Sequence, residues 1–463
     1  MDSLLLPRLM VSAPHKSSGK TTVTLGIAAY FAAAGERVSC FKKGPDYIDP
    51  MWHRLASGRE SRNLDPWLMG PGGCMDSFVV GSRGGTLSLI EGNHGLHDGM
   101  SLDGSDSSAG LALMLQTPVL LVIDSRKMNR AAAAIVMGMQ TMQPKVTIAG
   151  VILNQVRSPR HAEKQKLAIE TFCRVPVVGA IPAESRLVIA ERHLGLTTVG
   201  ETAGAAAFIR DAAELVALYC DMQAIRSLFG SAQPLVFDGY SPALPLTLPE
   251  KRVRIGVFRD AAFCFYYPEN LRALEEHGAE LLFIDSMQDR SLPDVDGLYL
   301  GGGFPESFFP GLSANRSLMR EVKERVDADM PLYAECGGLI WLSRSGTYGG
   351  KTVSLAGILP FDIGFQSLPA GHGYLRMRSC SESPWFEKGV ETKAHEFHYS
   401  TPTDGAAGCR WQFDLMRGQG VTGRHDGVLY RNLFASYAHL HAVGNPLWAK
   451  RFTDLCAARK KGR

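Results

Sequence analysis

Short apolar runs alternate with Ala-rich, helix-period stretches through the first half of the chain. Residues 8–12, 37–41, 86–91, 119–124, 148–154 and 175–179 read as strands, and 21–34 reads as a helix following the first of them. Pro176 suggests that the last strand lies at a sheet edge or begins there. Apolar strands alternating with helices predict a doubly wound parallel sheet covered on both faces. Between 226 and 252 the pattern lapses. Pro234, Pro242, Pro245 and Pro249 fall close together without either period, which reads as a semi-rigid linker. A second α/β pattern follows, with strands at 253–257, 280–284, 297–300 and 331–334. The expected division is a domain over 1–225, a linker over 226–252 and a domain over 253–463.

Composition adds exclusions. The 463 residues carry a formal net charge of +3, which implies neither nucleic acid nor a membrane surface as partner. No apolar run reaches the ~20 residues of a transmembrane helix, and the N-terminal Met1-Asp2-Ser3-Leu4-Leu5-Leu6 reads as the lead into a strand. Nine scattered cysteines without metal-ligand spacing point to a reducing cytoplasm and no disulfide framework. Eight read as small or incidental residues, and Cys336 is the exception.

Ser17-Ser18-Gly19-Lys20-Thr21-Thr22 lies between a strand and a helix, the context of a phosphate-binding loop. There Gly19 and the helix N-terminus, with Thr22 in its first turn, favour phosphate. Lys20 reaches the terminal phosphates and Thr21 offers a hydroxyl to Mg²⁺. Pro14 stands where the loop pattern has its first glycine. Glu91 ends an apolar strand at the carboxyl edge of the sheet, where ligands bind. It reads as a Mg²⁺ ligand, directly or through water, or as a solvated loop acid. Gly44-Pro45-Asp46-Tyr47-Ile48-Asp49-Pro50 places two acids in a rigid turn. Asn154 either reads a nucleotide base or caps the next segment.

In the second half Cys336 sits at the apex of a strand–turn–helix, the geometry of a nucleophile elbow. The helix N-terminus there favours thiolate. Gly301-Gly302-Gly303 follows another strand, and Gly302, Gly303 and Gly337 are candidates to donate backbone N–H groups to an oxyanion. His439, far downstream, is the candidate general base.

These residues, with Ser61-Arg62-Asn63-Leu64-Asp65-Pro66-Trp67, Glu91-Gly92-Asn93-His94-Gly95-Leu96-His97-Asp98-Gly99, Ala334-Glu335-Cys336-Gly337-Gly338 and His395-Glu396-Phe397-His398-Tyr399-Ser400, resemble the cobyrinic acid a,c-diamide synthases over nearly the whole chain. The first half resembles dethiobiotin synthetase-like ATPases of the P-loop type, and the second resembles class I glutamine amidotransferases. The resemblance implies Cys336 as glutaminase nucleophile and His439 as its base, with ATP and Mg²⁺ held by Lys20, Thr21 and Glu91. It also implies Asp46, Asp49 and Asp98 at the site that binds or activates the carboxylate, with Tyr47 beside them. The implied reaction is ATP- and glutamine-dependent amidation of two acetate side chains of a modified tetrapyrrole through an acyl phosphate. L-glutamine and a tetrapyrrole carboxylate are the partners, and a homodimer is left open.

The chain departs from the family in three places. Many amidotransferases carry an acid two residues after the catalytic histidine, whereas His441 stands there. His15-Lys16-Ser17-Ser18 and Asn93-His94 look closer to a branch associated with sulfur oxidation that is thought to amidate siroheme. A second class of reading, a nucleotide-driven partitioning or switch ATPase, accounts for the phosphate loop but leaves the second half without a task. Lys42, Lys43 and Arg62 are expected to form a basic cleft for an anionic substrate or to be solvated surface charges. Tyr47 and Trp67 would pack on a flat macrocycle or sit in the core.

Overall fold

The computed structural model describes residues 3–183, 191–192, 195–236 and 248–461. The chain divides into two compact units, Met1–Leu244 and Pro245–Arg463. Residues 237–247 of the expected linker, including Pro242 and Pro245, lie outside the described residues.

The first unit is built on strands β1 (Arg8–Ser12), β2 (Val38–Lys43), β3 (Arg62–Leu64), β4 (Leu87–Glu91), β5 (Val119–Asp124), β6 (Ile148–Val156) and β7 (Val177–Pro182). Every neighbouring pair is parallel and the order is β3-β2-β4-β1-β5-β6-β7. The expected doubly wound parallel sheet is therefore present, with the proline-bearing strand at one edge. The helices are α1 (Lys20–Ala33), α2 (Ile48–Ser57), α3 (Pro66–Ser82), α4 (Ser108–Met114), α5 (Ala131–Met142), α6 (Pro159–Cys173), α7 (Ala205–Tyr219) and α8 (Met222–Gly230). Crossovers leave β1 and β2 in one direction and β3 to β6 in the other. With right-handed connections this sends helices to opposite faces. Phe78 of α3, Leu111 of α4, Val136 of α5 and Ile169 of α6 share one core. α1 and α7 pack together, so closely that a Cβ on Gly26 would lie 2.5 Å from Ala212 O.

The early part of the expected linker is structured. Ile225 and Phe229 of α8 are buried, Arg226 pairs with Glu36 at 3.0 Å, and Leu235 and Val236 pair antiparallel with Leu4 and Ser3. Pro234 alone of the four prolines precedes this ribbon, so the helical period of 222–230 is unbroken. Arg8, fully buried, ties the region together. Its guanidinium donates to the carbonyls of Leu6, Leu115, Gln116 and Gln233 at 2.6–3.1 Å, and burial pushes its pKa down to about 10.

The second unit has nine strands in its main sheet. They are β8 (Val253–Phe258), β9 (Ala279–Ile284), β10 (Gly297–Leu300), β11 (Leu332–Glu335), β12 (Gly371–Ser379), β13 (Glu391–His398), β14 (Arg410–Arg417), β15 (His425–Tyr430) and β16 (Leu433–Ser436). The order β9-β8-β10-β11-β16 is parallel and continues antiparallel through β15-β14-β12-β13. Side chains alternate between two cores. Leu298, Leu300, Leu332 and Ala334 enter one, while Tyr299, Tyr333 and Phe434 enter the other. Helix α9 (Pro268–Glu276) packs on β9, and α10 (Gly337–Leu342) begins directly after the turn at Cys336.

Candidate functional sites in the two units

β1 is interior to its sheet, and the loop leaving it carries the residues expected to bind phosphate. Ser17 and Gly19 both have left-handed φ, 56° and 94°, which turns the backbone into a concave run of N–H groups. A glycine is required at position 19, because a Cβ there would stand 2.1 Å from Asn154 Nδ2. Asn154 bonds to the loop and to the residue that follows it. Its Nδ2 donates to Ser18 O at 3.0 Å and its Oδ1 accepts from Gln155 N, so it braces the loop from β6. Leu96 N donates to Ala13 O at 2.7 Å from the other side.

Lys20 is 8% exposed and its Nζ donates to His15 O at 3.2 Å. Burial, aided by the charge of Lys42, pushes its pKa down to about 8. Thr21 Oγ1 donates to Glu91 Oε1 at 2.6 Å. Glu91 is no solvated loop acid but fully buried. Lys42 Nζ lies 2.9 Å from its Oε1 and 2.5 Å from Asp49 Oδ2, while His53 Nε2 lies 2.7 Å from its Oε2. Burial alone would raise the Glu91 carboxyl. Lys42 and the His53 and Thr21 hydrogen bonds outweigh it and hold the carboxyl below its usual range. Asp49 is raised by burial and by Asp46, against the pull of Lys42. Burial would likewise lower Lys42, but its two acids keep it charged.

Lys42 and Lys43 are buried, so neither is the solvated surface charge that lysine usually is. Lys42 is committed to an internal ion pair, and Arg62 pairs with Glu60 at 3.2 Å. Asp46 Oδ1 accepts from Ile48 N and Asp49 N and so opens α2, and Asp98 Oδ2 accepts from Gly95 N. Tyr47 and Trp67 are half-buried, and Thr22 lies half-buried in the first turn of α1. His53 was not singled out in the sequence. Its signal was the helical period: Asp49 and His53 are four apart on the face of α2 that also buries Trp52 and Ala56.

The donors fit a polyphosphate with a divalent cation. A cationic lysine lies in a concave loop, and a hydroxyl and a carboxylate stand side by side at the first helical turn, leaving further positions for phosphate oxygens and water. Among the described residues no group of three or more His, Cys, Asp or Glu side chains is arranged to hold a metal by itself.

In the second unit Cys336 adopts φ 46° and ψ −99° at the N-cap of α10, the strained elbow expected from its context. Burial pushes the thiol well above its usual value. Glu306 adds to this, and the Gly337 N–H opposes it. The glycines permit a close approach. A Cβ on Gly302 would lie 2.4 Å from His439 Cε1, one on Gly303 2.0 Å from Ala262 O, and one on Gly337 3.0 Å from Gly303 N. Gly302, Gly303, Gly337 and the His439 ring therefore converge on the turn that carries Cys336. Cys336 Sγ lies 4.0 Å from Phe397 O, and Tyr437 stacks on His398 with ring centroids 3.7 Å apart.

Buried polar side chains fix the 437–442 segment. Asp426 accepts from Tyr437 N and Ala438 N at 3.1 Å, Glu335 from Leu440 N at 3.0 Å, and Asn270 both accepts from Ala442 N and donates to Leu440 O at 2.7 Å. His439 exchanges backbone hydrogen bonds with His395, and its Nδ1 lies 3.5 Å from Glu335 Oε2. His441, at the position that carries an acid in many amidotransferases, pairs with Glu269 at 3.7 Å and packs on Tyr267. All nine cysteines are free thiols, and among the described residues no helix is long and apolar enough to cross a membrane.

Residues 9–195 match the CobQ/CobB/MinD/ParA nucleotide binding domain, and residues 254–446 match the CobB/CobQ-like glutamine amidotransferase domain. A protein named cobyrinate a,c-diamide synthase from Magnetococcus marinus is 45% identical, covering 96% of this chain and 96% of its own length. Proteins of the same name from Archaeoglobus fulgidus (36% identical, 98% of each chain) and Methanosarcina acetivorans (39% identical, 95% of this chain and 93% of the relative) match as broadly. With a nucleotide-binding half, an amidotransferase half and relatives aligned across both, the chain belongs to the cobyrinate a,c-diamide synthase family.

Proposed function

We propose that this protein amidates the a- and c-acetate carboxylates of a tetrapyrrole, with cobyrinate as the first substrate to test, using glutamine as nitrogen donor and ATP with Mg²⁺ for activation. The reading is carried by the occurrence, in one chain, of a phosphate loop with Thr21 and Glu91 side by side and a Cys336 elbow against which Gly302 and His439 close. The names of the relatives support the substrate.

A carboxylate does not react with ammonia at neutral pH because its leaving group is too poor. Bound ATP would supply a phosphoryl group that turns the carboxylate into an acyl phosphate. Lys20 would hold the phosphates and Thr21 and Glu91 the Mg²⁺, catalysis being mostly positioning and charge neutralisation. Gly19 and Asn154 keep the loop open and braced. We assign Asp46 and Asp98 to shaping the flanking loops, and Asp49 to holding Lys42 near the site where the substrate carboxylate would sit.

In the amidotransferase unit, Cys336 attacks the glutamine side-chain amide. His439 takes the thiol proton and delivers it to the departing nitrogen, which leaves as ammonia. The N–H groups of Gly303 and Gly337 face the developing oxyanion. Burial of the thiol disfavours thiolate, which makes proton transfer to His439 necessary.

The test is to incubate the protein with ATP, Mg²⁺, glutamine and either cobyrinate or siroheme, and to measure product masses. A diamide from cobyrinate is the expected result. A diamide from siroheme alone transfers the assignment to the siroheme branch suggested by His15 and His94. More than two amides would contradict the selectivity, and amidation of neither compound removes the tetrapyrrole reading.

A further inference from the structure

The position two residues after His439 holds a histidine, so the usual orienting acid is missing. His441 cannot take over this task, since it is buried against Tyr267 and Glu269. We propose that Glu335, the residue immediately before the nucleophile, is the positioning residue for His439. This rests on the glutaminase reading of the site.

The geometry starts with β11. Alternation along the strand sends Tyr333 to one core and Ala334 to the other, so Glu335 shares the face of Tyr333 while the chain turns at Cys336. Glu335 is 1% exposed. Its Oε1 accepts from Tyr333 Oη at 2.8 Å and from Leu440 N, the amide following His439, at 3.0 Å. With that oxygen occupied, Oε2 is directed at Tyr299 Oη, 3.4 Å away, and at His439 Nδ1, 3.5 Å away. A carboxylate at Nδ1 favours the tautomer that carries its proton there and leaves Nε2 free to accept. As the bond from Sγ to the amide carbon forms, the thiol proton passes to Nε2, and the resulting imidazolium faces Glu335. The proton then goes to the departing nitrogen and the ring returns to neutral.

The other titratable neighbours do not compete for this role. Tyr266, Tyr299 and Tyr333 are all pushed up by burial, and His395 is pushed down by burial and by His439. One carboxylate thus reaches both sides of the reaction: a peptide bond joins it to the nucleophile, one oxygen holds the backbone beside the base, and the other lies 3.5 Å from its ring.

The test uses the full chain with Glu335→Gln and Glu335→Asp. Glutamine hydrolysis gives kcat and KM, and alkylation of Cys336 by iodoacetamide is followed against pH. Glu335→Gln is expected to lower kcat about 100-fold, the scale of a lost general base, with little change in KM. It should also move the alkylation midpoint to higher pH, because the imidazolium that pairs with thiolate has lost its counter-charge. Glu335→Asp keeps the charge but retracts it, and should fall between Gln and wild type on both measures. A merely structural carboxylate acts on the thiolate only by repulsion, so its removal would leave the alkylation midpoint unmoved or shift it to lower pH. That result, or a kcat within about threefold of wild type, overturns the proposal. If Glu335→Gln does not fold, Glu335→Asp decides alone, and wild-type values of kcat and midpoint refute it. Should wild-type protein hydrolyse no glutamine, the functional reading fails, while the alkylation profile still reports whether Glu335 acts on the Cys336–His439 pair.

Discussion

Around Glu91 the first unit buries Lys42, Asp49 and His53 together, so that each charge is answered by another. Around Cys336 the second unit gathers a thiol, an imidazole and three glycine backbones, with one acid behind them. The first arrangement prepares a site for ligands that bring charge, because buried ions are tolerated only when paired. On the proposed reading the second prepares a site for a neutral amide, and relies on Cys336 in a left-handed conformation and on the absence of side chains. The difference indicates where each is fragile: one to loss of a charge, the other to gain of an atom.

The sharpest way to break the comparison separates the two chemistries. Cys336→Ser should lower glutamine-dependent amidation at least ~10³-fold, as expected for loss of a nucleophile, and leave amidation from ammonium salt near wild type. Lys20→Ala should lose both, by roughly 10²–10³. Equal loss with both nitrogen donors in Cys336→Ser would mean that the sites are not separate.

Glu91→Gln removes the acid shared by Lys42 and His53. Breaking a buried pair by removing one partner costs about 3–5 kcal/mol. Asp49 still answers Lys42, so the lower end, about 3 kcal/mol, is expected in urea denaturation. A change below about 0.5 kcal/mol would show that the pairs contribute nothing to the fold.

Gly302→Ala places a methyl group 2.4 Å from the His439 ring. Displacing the ring by an ångström should cost about 10²-fold in glutamine hydrolysis, with amidation from ammonium unaffected. Unchanged hydrolysis would mean that the ring can shift without consequence.

The smallest effect concerns protons. Lys20, lowered to about 8 by burial, has an ordinary value of about 10.4. Its charge is therefore a cost to folding below pH 8, and that cost fades as the pH rises from 8 toward the unfolded value. A polyphosphate reverses the preference by stabilising the ammonium. At pH 8.5 nucleotide binding should take up a fraction of a proton, read by calorimetry in buffers of different ionisation heat. Proton release on binding would contradict the assignment of Lys20 to the phosphates.

Much of this was legible in the sequence, and the failures have physical causes. Strands at 8–12, 119–124 and 297–300 coincide with the observed ones because strands covered on both faces read as unbroken apolar runs. The strand read as 37–41 extends to Lys43, since its two lysines look like an exit to solvent until their partners are known. The antiparallel β12 to β15 went unread: Gly371–Ser379 mixes His, Arg and Ser with apolar residues, and only the alternation of Leu375 and Met377 marks its inner face. Cys336 and the glycines were visible because an elbow has a local signature. His53 and Glu335 were not, because their importance lies in Glu91 and in His439 and Leu440, far away along the chain.

Arg8 has a mechanical consequence. The ribbon joining residues 3–4 to 235–236 closes the first unit where the chain enters and leaves it, and the guanidinium bonds to Leu6 and Gln233 on the two sides of that closure. A pull applied through these two segments would meet the ribbon end-on and unzip it pair by pair. The load would then fall on one fully buried side chain, whose remaining bonds run to Leu115 and Gln116 next to β5. Arg8 therefore works as a latch at the head of β1: while its side chain holds, force on the entry and exit segments stops at that residue short of the phosphate loop, and once it slips the tension passes along the rest of β1 to the loop.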